Sequence, residues 1–131
     1  AFLCVDKGSS RAGIFDLLMV MGIPFIDVGM GLLRQKGELA GSLNGLVRAT
    51  YYPADKAKKV RGKDLAPLTD PKDDIYRTAI QISELNALNA CLAIIRFKQL
   101  RGFYTQEVAF YHLMFGLGDL SLDNEKEEEL N

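Results

Sequence analysis

The sequence predicts an α/β fold in which a parallel strand-helix-strand unit continues into antiparallel strands, with a long buried helix packed across the sheet. Three observations predict it. Residues 2–29 read as an apolar strand, a sharp turn, a helix and a second apolar strand. Residues 46–52 and 108–115 alternate as half-buried strands do. Between these, residues 75–100 are apolar around nearly the whole helical circumference, the pattern of a helix buried against a sheet.

Taken in order, Phe2, Leu3, Cys4 and Val5 form a continuous apolar run that suits a parallel strand covered on both faces. Asp6 ends it. Gly8 relaxes the backbone, Ser9 or Ser10 is positioned to cap a helix, and Ile14, Leu17, Leu18 and Met21 recur at helical spacing on one face. Gly22 stops that helix, Pro24 follows, and residues 25–29 form the second strand. Lys36-Gly37 and Asn44-Gly45 carry tight-turn chemistry, so two short antiparallel strands are expected, the second over residues 46–52 and closed by Pro53.

Residues 54–72 gather Lys56, Lys58, Lys59, Arg61 and Lys63 with little apolar periodicity, and Pro67 and Pro71 forbid a long helix. They read as a mobile basic loop: a solvated connection, or a segment that meets an acidic partner or a nucleotide phosphate. Asp73 or Asp74 then caps the long helix, which Gly102 ends. Within it, Glu84, Asn86 and Asn89 need partners if buried. Arg96, Lys98 and Arg101 suit the negative end of the helix dipole. Residues 108–115 make another strand and residues 117–122 return beside it. The domain is expected to span 1–122, with 123–131 an acidic tail, frayed or in a short exposed helix.

A chain of 131 residues with 48% hydrophobic content is one domain with enough material for a core. A net charge of -1 excludes the basic footprint of a general nucleic-acid binder. No apolar run approaches a membrane span, and the first residues lack the basic segment of a secretory signal, so a cytoplasmic location without a membrane partner is expected. Cys4 and Cys91 are expected to be buried and unbridged. The chain opens directly on a strand. The expectation is a fragment whose preceding elements belong to the same sheet, or an oligomer whose partner covers that edge.

Most site types lack their residues. There is no pair of closely spaced cysteines for zinc, no Gly-x-Ser-x-Gly elbow, and no convergent partner for His112, the only histidine. Gly29-Met30-Gly31 follows a strand without opening a helix, so the dinucleotide fingerprint is not met. What remains is Asp6 with Lys7, Gly8, Ser9, Ser10 and Arg11. A carboxylate at the tip of a parallel strand can hold Mg²⁺, directly or through water, and the metal can neutralise phosphate charge. Arg11, on the first helical turn, could orient Asp6 or its loop.

The residues Cys4-Val5-Asp6-Lys7-Gly8-Ser9-Ser10-Arg11, followed by Gly22-Ile23-Pro24-Phe25-Ile26-Asp27-Val28-Gly29, resemble the second half of the ThiF/MoeB-like adenylyltransferases, the family that includes the ubiquitin-activating enzymes. The resemblance continues through Asn44-Gly45-Leu46-Val47-Arg48-Ala49-Thr50 and through the long helix carrying Glu84-Leu85-Asn86-Ala87-Leu88-Asn89-Ala90, and covers most of the chain up to about Gly102. It implies the later half of a Rossmann-like sheet. It also implies adenylation of the C-terminal glycine of a ubiquitin-like or sulfur-carrier protein, with ATP and Mg²⁺ as cofactors and a homodimer as the assembly. Asp6 matches the family's acidic residue near metal and phosphates, and Arg11 its arginine in a supporting role.

The family's Gly-rich turn, ribose-binding acid and phosphate-holding arginine and lysine belong to the half that would precede Ala1, so this stretch alone is expected not to adenylate. The zinc cysteines of many members are missing, and Cys91 is a poor thioester nucleophile if buried. Two other readings stand beside this one. The chain could be a non-catalytic interaction or dimerisation module derived from a nucleotide-binding fold, or a piece of a nicotinamide-dependent Rossmann enzyme.

Overall fold

The computed structural model describes residues 1–70 and 82–131. Its elements are β1 (Phe2–Leu3), α1 (Gly8–Val20), β2 (Phe25–Arg34), β3 (Leu43–Tyr52), α2 (Ala57–Arg61), α3 (Ser83–Leu100), β4 (Phe110–Gly116) and β5 (Leu122–Lys126), with 3-10 turns at Gly37–Leu39 and Glu127–Leu130. The five strands form one mixed sheet in the order β1-β2-β3-β4-β5. β1 pairs parallel to β2, and every later pairing is antiparallel. The predicted α/β class and its parallel strand-helix-strand opening are therefore present.

Adjacent strand residues point to opposite faces, so Phe25 and Ile26 identify the two sides of the sheet. On the Phe25 side, Phe15 of α1 and Ala57 and Val60 of α2 pack with Leu3, Tyr52, Tyr111 and Leu130. The rings of Phe15, Phe25 and Tyr52 meet at 4.5–4.8 Å between centroids. On the Ile26 side, Val28 and Ala49 meet Ala93 of α3. The sheet thus lies between α1 with α2 and the expected crossing helix α3. No helix among the described residues is long and apolar enough to cross a membrane.

Several local expectations are corrected. β1 is two residues long and, among the described residues, forms one margin of the sheet; Leu3 is buried in the core, whereas Phe2 meets Phe97 on the other side but stays 43% exposed. Cys4 and Cys91 are free, as expected, but exposed. α1 buries Gly8, Arg11 and Phe15, whereas Leu17 and Met21 of the expected face are exposed. Neither Ser9 nor Ser10 caps it. The Asp70 carboxylate does so instead, accepting hydrogen bonds from the Ser9 N–H at 3.3 Å and from the Ser9 hydroxyl. Gly22 closes the helix at φ +65°, as its lack of a Cβ permits.

Asn44-Gly45 makes no turn: β2 and β3 pair over ten residues each, and Gly45 lies opposite Leu32. A Cβ at Gly45 would come within 2.0 Å of the Gly31 carbonyl oxygen, so close backbone approach explains this glycine. Over residues 54–70 the basic stretch is a packed segment containing α2, because Ala57, Val60 and Ala66 are core residues. α3 is amphipathic. Its buried stripe is Leu85, Asn89, Ala93 and Arg96, while Ile94, Ile95 and Phe97 are exposed. The expected cap at Asp73 or Asp74 and the helix start at residue 75 lie outside the described residues.

Arg96 is not a dipole partner on the surface. It is 2% exposed, donates to Gln106 Oε1 at 2.8 Å and to the Phe110 carbonyl at 2.5 Å, and lies over the Phe110 ring at 4.2 Å. The acidic stretch is not frayed, and the expected short helix is confined to the 3-10 turn at Glu127–Leu130. Residues 123–126 belong to β5, and Leu130 anchors the last turn in the core. Glu84 is exposed, whereas Asn89 is buried with no hydrogen-bond partner for Oδ1 among the described residues.

Candidate functional site

The turn from β1 to α1 carries the two residues singled out from the sequence. Asp6 is exposed and makes no hydrogen bond or ion pair among the described residues. It follows β1 at that strand's carboxyl end, where ligands bind in open α/β sheets. Arg11 is 3% exposed and holds the turn from below. Its Nη2 donates to the Val5 carbonyl, its Nη1 donates to the Pro67 carbonyl at 3.0 Å, and its Nε donates to Asp27 Oδ1 at 3.0 Å. Arg11 therefore ties together β2, the Asp6 turn and the segment after α2, and reaches Asp6 only through the backbone of Val5.

The same segment is pressed onto the start of α1. A Cβ at Gly8 would stand 2.4 Å from the Thr69 carbonyl oxygen, so only a glycine admits this contact. The Ser9 hydrogen bond holds the Asp70 carboxyl below its usual range.

Beneath the turn lies a charged cluster that the sequence reading missed. Asp27 is fully buried, with Arg11 on Oδ1 and Arg48 Nη1 2.7 Å from Oδ2. The second contact is an ion pair without hydrogen-bond angles, so Nη1 and Nη2 of Arg48 are buried with no hydrogen-bond partner among the described residues. Across the sheet, Asp27 is in register with Thr50, Thr50 with His112, and His112 with Glu125. Thr50 Oγ1 and His112 Nδ1 share a hydrogen bond of 2.8 Å. The available signal was that Asp27 is the one charge in residues 23–33 and Arg48 the one charge in residues 43–52.

Burial holds the His112 imidazole below its ordinary value; Arg48 acts in the same direction and Glu125 against it. The unfolded chain then binds more protons than the folded one just below the ordinary histidine pKa. The stability linked to His112 is present above about pH 6.5 and is lost as pH falls through its depressed folded value. His112→Gln is expected to flatten that part of the stability-pH curve in urea titrations. An unchanged slope would show that another group produces it.

Magnesium in nucleotide sites needs only one or two carboxylates, since phosphates and water complete its shell. Asp6 fits that requirement as the single carboxylate. Among the described residues no group of three or more His, Cys, Asp or Glu side chains could hold a metal ion without such help. Asp6 lines neither a shallow concavity of about 550 Å³, formed by Asn44, Leu46, Met114, Asp119 and Asp123, nor one of about 320 Å³ around Gln99, Thr105 and Phe110. The fold and this turn together define an α/β protein with an exposed carboxylate on a strand-end turn hydrogen-bonded by a buried arginine. Set against family models and curated proteins, the chain matches none.

Proposed function

We propose that this chain is the later half of a Rossmann-like adenylylating domain within a longer polypeptide. Asp6 then serves an Mg-ATP site at which the C-terminal glycine carboxylate of a ubiquitin-like or sulfur-carrier protein is activated. The observation that carries the reading is the Asp6 turn: an exposed carboxylate after a parallel strand, on backbone gripped by a buried arginine.

In the reaction, an oxygen of the glycine carboxylate attacks the α-phosphorus of ATP. The new oxygen-phosphorus bond forms as the bond to the pyrophosphate oxygen breaks, and pyrophosphate leaves. Mg²⁺, when bound, neutralises phosphate charge. Asp6 would hold that ion, directly or through water, and Arg11 keeps the Asp6 turn from yielding. The same reading includes a cytoplasmic location and a homodimer.

The test is ATP-pyrophosphate exchange by the full-length protein. Asp6→Ala is expected to lower the exchange rate by about 100-fold or more, the scale of losing one electrostatic stabiliser at a reacting centre. Its melting temperature should not move, because Asp6 is exposed and unpaired among the described residues. Full exchange in that variant refutes the role.

The second reading, a non-catalytic interaction or dimerisation module, is favoured by the outer side of α3, where Ile94 and Ile95 are each 47% exposed and Phe97 42%. A full-length protein that dimerises through α3 and catalyses no exchange would decide for it.

A further inference from the structure

We propose that Asp27 and Arg48 are positioning residues for the turn that carries Asp6, acting through Arg11 and the Val5 carbonyl. The catalytic consequence rests on the adenylation reading; the mechanical one does not.

The relay is continuous. Arg48 Nη1 stands 2.7 Å from Asp27 Oδ2, Asp27 Oδ1 accepts from Arg11 Nε at 3.0 Å, and Arg11 Nη2 donates to the carbonyl of the residue before Asp6. Each carboxylate oxygen of Asp27 is engaged by a different arginine. The ion pair with Arg48 anchors one end of the carboxylate, and the hydrogen bond at the other end orients the guanidinium plane of Arg11. That plane decides whether Nη1 and Nη2 reach Pro67 and Val5 together.

Stability alone does not account for this arrangement. Two cations and one anion are removed from water, and among the described residues nothing hydrogen-bonds Nη1 and Nη2 of Arg48. Desolvating such groups costs several kcal/mol per ion, and well-packed apolar residues often hold a layer together as well or better. What the cluster supplies that apolar residues cannot is orientation of a third group. Arg48 is itself held against Gly29, where a Cβ would lie 2.8 Å from Nη2 and 3.0 Å from Cζ and Nε. Gly29 is thus the seat of the relay, and a methyl group there would push the flexible end of Arg48 aside without deleting its charge.

The experiment uses the full-length protein with Arg48→Met, Arg48→Lys and Gly29→Ala. It measures deuterium uptake of the peptide covering residues 2–10, uptake across β2–β4, the melting temperature, and kcat and KM for ATP in pyrophosphate exchange. Arg48→Met leaves Asp27 paired one-to-one with Arg11, so the fold is retained. Expected for Arg48→Met and Gly29→Ala are faster uptake in residues 2–10 alone, and kcat reduced about 10- to 100-fold, the scale of an ångström-sized misplacement at a reacting centre. KM for ATP should stay within about twofold, as a displaced group lowers turnover more than uniform binding. Arg48→Lys restores part of both losses.

Unchanged uptake in residues 2–10 overturns the proposal. So does uptake that rises uniformly across the sheet with a lower melting temperature, which marks a merely structural role. If the unmutated protein catalyses no exchange, the adenylation reading fails, while the uptake data still decide the positioning role.

Discussion

Asp27→Asn is expected to destabilise the fold by about 3–5 kcal/mol, seen as a lower urea midpoint at an unchanged slope. The carboxylate is fully buried and is, among the described residues, the one anion paired with Arg11 and Arg48. An amide of the same shape can still accept one hydrogen bond, but it leaves two guanidinium groups in a dry layer with nothing to offset their charge. The comparison that isolates this effect is Arg48→Met with Asp27→Asn. With Arg48 gone, only one cation remains to be offset, and the double variant should be less destabilised than the sum of its parts. A midpoint for Asp27→Asn equal to that of the unmutated chain would mean that the cluster is solvated.

Phe15→Ala carries the second large effect, also about 3–5 kcal/mol, because it removes a ring from a close-packed site and leaves a cavity behind. Phe15 is completely buried, 4.8 Å from the Phe25 ring and 4.7 Å from the Tyr52 ring. It is the side chain by which α1 is seated on the sheet. Leu17→Ala on the same helix is the control: Leu17 is 58% exposed, and its truncation should change stability by no more than about 0.5 kcal/mol. Equal losses from the two variants would mean that α1 packs by the face containing Leu17.

Those two predictions mark the limit of what was legible beforehand. The order of strand, helix and strand could be read because apolar runs and Gly22 are local signals, and the Asp6 turn came with them. The buried face of α1 could be read only in part. Ile14 and Leu18 do pack against the core, but its most buried residues are Gly8, Arg11 and Phe15, of which a count of apolar side chains registers one, so the count also favoured the exposed Leu17 and Met21.

The Arg11–Asp27–Arg48 cluster depends on pairing residues 16 and 21 positions apart onto one face of a sheet, and strand register is not a local property. Asn44-Gly45 misled for the same reason. The dipeptide is common in turns, yet Gly45 serves a close approach to Gly31 that exists only once β2 and β3 are side by side. The basic stretch carries its apolar residues Ala57, Val60 and Ala66 too sparsely for periodicity to reveal that they are core residues.

The two margins of the sheet differ in kind. β5 presents Asp123, Asn124, Glu125 and Lys126, a polar and ionic fringe that discourages another backbone from zipping alongside. Among the described residues β1 has a strand on one side only and offers a two-residue ledge, with the Phe2 ring leaning edgewise on Phe97 at 5.3 Å. The described sheet therefore has a guarded flank and a less guarded one, and the less guarded flank adjoins the turn bearing Asp6.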